Sequence, residues 1–499
     1  MVAPSARAQA ACHSTTARPS PNAASSSSLS TIASAASASA PVIPAAATTT
    51  PPARDALLAR HRNLFNGDTC VYFYNPEKWQ PEGGPFSAKA IHRYVDLLAD
   101  NGVDTFVINA NASRAWYPSK TIPSILDGYR RGDREFFRGH AICAGATEPA
   151  AVEKYIDTIM AFMNLYQDLI DAGVDWLAET ATACRRRGVA PWVSVRMNDM
   201  HGHLNYAGSF FNAPLLAQPA MRLHHSAYSP TMRLPDYRSG LNYEKSEVRA
   251  FMFSQIKEVV EAYDFAGLEL DWWRNALCCE PTASPATVAL MNDWFRSIRA
   301  LTQRRAAQTG RAYPFGFRIP GRIGELKAIG IDVETLCREG TLDYVIVSNF
   351  WRTSWDMPHD ALRQQLGPNV AIHLHTYDET NRRVHPARII RAIKKWESLG
   401  VDCVNFILNA NNQWSTAQDL PYAPSILNDP VRVPYTANAA AYAARLDALD
   451  REVREAIGKI PPERRKIITT HDAFGGVNKS ADLSRVMKDL LALKESAHR

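Results

Sequence analysis

The chain has 499 residues, with 56 Lys and Arg, 50 Asp and Glu, and a formal net charge of +6. This length can bury the core of one large domain and leave residues for appendages. The basic residues form neither a long run nor a stripe interleaved with aromatic residues, which disfavours a nucleic-acid-binding protein. No apolar run reaches the roughly 20 residues of a transmembrane helix, so no membrane-spanning segment is expected.

The N-terminal segment, residues 1–54, has no Asp or Glu and is dominated by Ala, Ser, Thr and Pro. Such a segment cannot form a core and is predicted to be disordered. Its Arg and Ser content suits an organellar transit peptide, and a low-complexity tail or a miscalled start fits equally well. Localisation, including secretion, therefore stays open.

The eight cysteines are scattered and include no CxxC pair. We expect most of them to be free thiols, because neither a disulfide framework nor a cysteine zinc site follows from this spacing. The adjacent Cys278 and Cys279 lie near the predicted cleft and are either reactive or two ordinary loop residues.

From residue 69 onward, β-rich runs alternate with helical patterns, giving eight strand candidates. This number and order predict an α/β fold, a (β/α)8 TIM barrel over 55–425 with insertions after strands 2 and 3. A doubly wound sheet is disfavoured because no Gly-rich phosphate turn follows the first run. Residues 426–499 are predicted to form a mainly helical extension. The predicted strands are 69–77, 103–111, 190–199, 267–274, 313–321, 343–351, 370–379 and 401–409.

The fourth predicted strand, in "GLELDWWRN" (267–275), carries two carboxyl groups. A strand has a side-chain period of two, so Glu269, Asp271 and Trp273 share one face. Carboxylates are seldom buried without partners, so this face should open on a cleft or meet Arg196 or Arg318. A purely structural salt bridge across the barrel is the alternative.

Polar and aromatic residues collect at the predicted C-terminal strand ends, where barrel enzymes carry their active sites. Amides and charged groups bond sugar hydroxyls, and indole rings pack on the sugar's C–H face. Glycoside hydrolysis needs two carboxyl groups, here Asp271 or Glu269 with Asp378 or Glu379. The predicted substrate-binding residues are Arg196, Asn198, Asp199, His201, Trp273, Arg274, Arg318, Asn349, Trp351, His373, His375 and Tyr377.

The segments "SVRMNDMHG", "GLELDWWRN" and "FRIPGR" in this eight-strand frame resemble bacterial TIM-barrel proteins described as glycoside-hydrolase-like, over about residues 60–415. The resemblance implies a carbohydrate-active barrel. In the largest clan of retaining barrel glycosidases the acid/base lies on the fourth strand and the nucleophile on the seventh, which implies Asp271 or Glu269 with Glu379 or Asp378. The strand also looks like that of chitinases, but Trp273 stands where their proton donor is a glutamate, which argues against chitinase chemistry.

Two other functions stay open. A carbohydrate-binding barrel without turnover fits the tryptophan at 273. A metal-dependent hydrolase fits the His-x-His pair at 373–375 and the histidines after strand 3, because imidazole with carboxylate is a common zinc set. The glycosidase needs no cofactor, whereas this last alternative takes zinc or manganese.

Residues 435–476 resemble a fragment of the substrate-binding proteins of zinc and manganese ABC transporters. In that family the histidine of the His-Asp-Ala-Phe motif is a metal ligand, which implies His471. The family's other ligands have no counterpart here, and zinc normally takes three or four protein ligands. We interpret the segment as a fused fragment. The expected partner is a carbohydrate substrate, and no protein partner can be deduced.

Overall fold

In the computed structural model, eight parallel strands form a closed barrel in chain order, with β8 pairing back to β1. The strands are β1 (Asn63–Gly67), β2 (Thr105–Asn109), β3 (Ala190–Arg196), β4 (Leu268–Asp271), β5 (Phe315–Ile319), β6 (Tyr344–Val347), β7 (Ala371–Tyr377) and β8 (Cys403–Ile407). The predicted α/β fold with a parallel, TIM-like barrel is confirmed.

The structure describes residues 54–61, 63–67, 72–73, 76–100, 103–224, 240–273, 276–347, 358–377, 403–407, 451 and 455, with the backbone alone for 63, 359–360, 374–377 and 403–407. The chain divides into two units, 1–384 with 392–428 and 385–391 with 429–499, and every strand belongs to the first. The N-terminal tail and nearly all of the C-terminal extension lie outside the described residues.

Helices connect the strands wherever the connection is described. They are α1 (Arg54–Arg60), α2 (Pro76–Trp79), α3 (Ala88–Asp100), α4 (Glu135–Arg138), α5 (Pro149–Asp171), α6 (Trp176–Arg186), α7 (Ser246–Glu261), α8 (Pro285–Thr309), α9 (Ile323–Lys327), α10 (Val333–Arg338) and α11 (His359–Leu366), with short 3-10 turns at Ala141–Ala144, Pro214–Ala217 and Pro219–Met221. Within this described part, none is long and apolar enough to cross a membrane.

Local sequence explains where these helices begin and end. The side chain of Asp175 caps α6 by accepting hydrogen bonds from the backbone N–H groups of Leu177 and Ala178. Ser284 caps α8 in the same way, directly before Pro285. Helices α5 and α6 are separated by a turn in which Gly173 has φ of 69°.

The predicted first strand, 69–77, is wrong. β1 lies earlier, Tyr72 and Phe73 form a turn, and Glu77 lies in α2. The ring of Tyr72 packs edge-on against Tyr94 of α3, with 5.1 Å between centroids, and that of Phe73 packs 5.3 Å from Phe86. The aromatic content of this segment therefore reflects burial against a helix and not strand pairing.

The N-terminal end of the barrel is filled by large rings. Those of Trp192 and Tyr344 lie 4.8 Å apart inside it. Two glycines make room for them, since a Cβ on Gly267 would lie 2.8 Å from the Trp192 ring and one on Gly316 would lie 2.4 Å from the Tyr344 carbonyl oxygen. Polar groups are thereby left to the opposite, C-terminal end. The same apolar cluster includes Leu57, Leu64, Val107, Ile346 and Ala371.

Candidate active site

Asp271 ends β4 and holds a buried ion pair. Its Oδ2 accepts a hydrogen bond from Arg318 Nη1 at 3.3 Å, and its Oδ1 accepts one from the backbone N–H of Trp273 at 2.9 Å. The guanidinium carbon of Arg318 lies 4.3 Å from the centroid of the Trp273 ring, which suits a cation–π contact. The structure thus joins three predicted site residues at the C-terminal end of the barrel.

Glu269 lies one layer deeper on the same strand face and is fully buried. Its Oε1 accepts hydrogen bonds from Asn66 Nδ2 at 3.0 Å and from Ser194 Oγ at 2.6 Å. Its Oε2 has no hydrogen-bond partner within the described part of the chain. Burial raises the pKa of Glu269 to about 7, although Arg318 acts to lower it, and Asp271 raises it further.

The raised pKa of Glu269 predicts a pH-dependent stability. Because the pKa is about 7 in the folded protein against 4.5 ordinarily, the folded state binds more protons between these values. The free energy of unfolding should therefore fall as pH rises from about 4.5 to about 7, by at most about 1.4 kcal/mol per pH unit. Glu269→Gln keeps the acceptor for Asn66 and Ser194 but cannot titrate, so urea unfolding should show this decline removed. An unchanged decline in the variant would refute the assignment to Glu269.

The loop after β3 carries a second acid. Asp199 accepts hydrogen bonds from the backbone N–H and the Nδ1 of His201 at 3.0 and 2.7 Å. Arg196 Nη1 lies 3.4 Å from Asp199 Oδ2. Arg196 itself is opposite Asp271 in the β3–β4 register. These predicted residues therefore form one connected group beside the Asp271 ion pair.

Two asparagines near the site form hydrogen bonds with backbone groups. The Asn198 amide donates to the carbonyls of Leu241 and Leu277 and accepts from the N–H of Leu241. This use of both ends favours a structural role over the predicted contact with substrate. Asn111 accepts from the N–H of Arg196 and donates to its carbonyl, which fixes the end of β3.

The other predicted residues fall in two groups. His373 is fully buried inside the barrel, 5.8 Å from the Tyr344 ring, so it belongs to the interior and not to the mouth. For His375 and Tyr377 the structure describes only the backbone, in β7. Outside the described residues lie Arg274, Asn349, Trp351, Asp378, Glu379 and His471.

Sequence reasoning missed Asn66 and Ser194, the two donors to Glu269. Asn66 also faces Arg318, whose Nη1 lies 3.4 Å from its Oδ1, so it bridges the two layers of the site. Asn66 falls outside the predicted first strand, 69–77, because the strand lies earlier in the chain. Ser194 was detectable, since it shares a face with Arg196 by the period of two.

Free thiols are found as expected among the described cysteines, whereas the metal alternative is not tested. Cys143, Cys184, Cys278, Cys279 and Cys337 are free. Within the described ranges, no three His, Cys, Asp or Glu side chains are arranged to hold a metal ion. The zinc or manganese alternative depends on residues outside those ranges as well, so it stays a prediction.

A family model described as ZnuA, the zinc-uptake complex component A, periplasmic, matches residues 429–493. This confirms the predicted resemblance of 435–476 to a fragment of metal-transport binding proteins. The match covers far less than half of the chain and assigns no family to the barrel.

Solved structures similar to this chain include glycoside hydrolases, in agreement with the predicted resemblance. The glycoside hydrolase domain of PgaB (BpsB) from Bordetella bronchiseptica is 12% identical, with 74% of this chain and 99% of that chain covered and a TM-score of 0.43. Alpha-L-fucosidase isoenzyme 2 from Paenibacillus thiaminolyticus is 12% identical, with 73% and 49% covered and a TM-score of 0.42. The alpha-L-fucosidase AlfC from Lactobacillus casei is 13% identical, with 76% of this chain and 99% of that chain covered and a TM-score of 0.35. Similarity at this level says nothing about the activity of this chain.

Proposed function

We propose that the barrel is a glycoside hydrolase and that Asp271 acts at the anomeric carbon of the sugar. The observation that carries the proposal is the pair of carboxyl groups on β4. Asp271 is paired with Arg318 at the C-terminal end, whereas Glu269, two residues away, is buried with a pKa raised to about 7. Carboxyl groups with such different environments are typical of acid–base assignments in enzymes.

The ion pair with Arg318 supports a specific catalytic role for Asp271. Asp271 is held in place by accepting from Arg318 and from the backbone N–H of Trp273 at the C-terminal end of the barrel, which suits a nucleophile. Arg196 and the Trp273 ring supply a hydrogen-bond donor and an apolar face for a sugar. The reaction needs a second group that donates a proton to the leaving oxygen. The predicted second carboxyl groups, Asp378 and Glu379, lie outside the described residues.

The proposal is tested with a panel of chromogenic glycosides and polysaccharides, using the full chain. We expect hydrolysis of at least one sugar class above the rate with unfolded protein, without added metal or cofactor. Proton NMR of the first product formed then gives the anomeric outcome. Sugar binding without any turnover on the panel would contradict a hydrolase.

A carbohydrate-binding barrel without turnover is the second candidate. Its support is that Glu269 is completely buried and that Trp273, not an acid, follows Asp271 on the strand face. Calorimetric titration with the same sugars separates the two functions. Binding that remains unchanged for hours, with no product, would favour this candidate.

A further inference from the structure

We propose that Asp199 and His201 form an acid–base dyad at the mouth of the barrel, with His201 as the proton donor to the glycosidic oxygen. This inference rests on the proposed function and supplies a proton donor at the mouth of the barrel, a place that Glu269, fully buried one layer deeper, does not reach. It gives both residues a role in proton transfer, which is distinct from the substrate binding expected from sequence.

The geometry of the pair is that of an oriented imidazole. The Asp199 side chain is 1% exposed and the His201 side chain 36% exposed. Both oxygens of Asp199 lie within hydrogen-bond distance of His201 Nδ1, at 2.7 and 2.9 Å. A buried carboxylate on Nδ1 holds a proton there and orients the ring, so we assign proton exchange with the substrate to Nε2.

The loop holds this pair beside Asp271. The backbone N–H of Met197 donates to the Asp271 carbonyl at 3.2 Å, so the loop after β3 starts beside the end of β4. Further along, the Asn212 amide donates to the Gly202 carbonyl at 3.0 Å. Gly202 fits closely there, since a Cβ would lie 2.1 Å from Asn212 Oδ1. His201 is therefore anchored on both sides.

Arg196 lies between the dyad and the end of β4. Its guanidinium lies against Asp199, while its backbone is in register with Asp271. A cation at this point balances the charge of Asp199 and keeps that carboxylate an acceptor. It also provides a donor for a sugar hydroxyl between the nucleophile and the acid.

The reaction balances in two steps. In the first, the Asp271 carboxylate attacks the anomeric carbon, the bond to the glycosidic oxygen breaks, and His201, entering the step as the imidazolium, gives its Nε2 proton to that oxygen and keeps its Nδ1 proton on Asp199. In the second, a water molecule gives a proton to Nε2 as its oxygen displaces Asp271. One water is consumed, and both side chains return to their starting states.

The experiment compares two aryl glycosides of one sugar, with phenol and 2,4-dinitrophenol as leaving groups. Dinitrophenolate leaves without a proton, so only the phenyl glycoside needs an acid. For His201→Gln we expect kcat/KM on the phenyl glycoside to fall by about 10²- to 10⁴-fold, with little change on the dinitrophenyl glycoside. Asp199→Asn should show the same pattern, because asparagine favours the wrong tautomer.

The matched control is His224→Gln. His224 also contacts a carboxylate through Nδ1, at 3.0 Å from Glu280, but its side chain is 72% exposed. This variant should keep wild-type rates on both substrates. An equal loss on both substrates in His201→Gln, with folding intact by circular dichroism, would overturn the acid role.

A measurement independent of turnover separates this inference from the proposed function. Nitrogen-15 NMR of labelled histidines should show His201 protonated at Nδ1 in the wild type and altered in Asp199→Asn. The opposite tautomer in the wild type overturns the dyad. The expected tautomer in a protein that cleaves neither glycoside contradicts the hydrolase itself, and the acid role falls with it.

Discussion

Asp271→Asn is expected to lower kcat/KM for glycoside hydrolysis by about 10⁴-fold or more, the order of loss typical of removing one essential catalytic side chain. Asparagine has nearly the same shape and keeps an oxygen for the Trp273 N–H, but it has no charge for the anomeric carbon. The loss combines a missing nucleophile with missing electrostatic stabilisation of the positive transition state. Steady-state rates on the best substrate of the panel measure it.

The control for this variant is Asp293→Asn. Asp293 lies on α8, its side chain is 74% exposed, and it pairs with Arg296 one turn along the helix. Its replacement should therefore leave activity unchanged. The unfolding free energy of Asp271→Asn must be measured as well, because the variant leaves the buried Arg318 with a weaker partner. Activity within tenfold of the wild type in a folded Asp271→Asn protein would exclude the proposed nucleophile.

The sequence predicts the acid-bearing strand well because its signal is local. Alternation of Leu with Glu269 and Asp271 requires no knowledge of the rest of the chain. The expectation of a cation near these acids follows from the cost of burying charge. That Arg318, on the next strand, is this cation depends on the β4–β5 register, which is a non-local property.

The hydrogen-bond partners of Glu269 that come from distant segments cannot be predicted from local sequence, because they too depend on strand register. Asn66 and Glu269 are 203 residues apart, and β1 is a strand of only five residues, NLFNG, that ends in glycine. The neighbouring segment with Tyr72 and Phe73 has higher β propensity, but tertiary packing against α3 overrides it. The position of a short strand in a closed barrel is determined by its pairing with both neighbouring strands. The sequence of one segment does not show this pairing.

The layering of the barrel explains why one strand face carries both a buried and a functional acid. The rings of Trp192 and Tyr344 close the N-terminal end, so Glu269 directly above them is shut off from water and its pKa rises. Asp271, one layer higher, reaches Arg318 and the loop that carries His201. The step between the two layers therefore separates an acid whose pKa is raised by burial from one that is paired with an arginine at the C-terminal end.

The largest effect on stability is expected for Arg299→Met. Arg299 of α8 makes a bidentate ion pair with Asp343 before β6, with distances of 2.6 and 2.9 Å. The side chains are 7% and 2% exposed, and Asp343 also accepts from the Phe315 N–H. Removing the arginine leaves a buried carboxylate without its cation, which should cost about 3–5 kcal/mol of unfolding free energy. Urea denaturation measures this loss.

The matched control lies one turn away on the same helix. Arg296 also pairs with a carboxylate, Glu339, but its side chain is 45% exposed, so Arg296→Met should cost at most about 1 kcal/mol. The double variant Arg299→Met with Asp343→Leu should recover part of the loss, because it removes the stranded charge as well. Equal costs for the two arginines would mean that the α8–β6 ion pair is solvated and that helix α8 is attached to the barrel by apolar contacts instead.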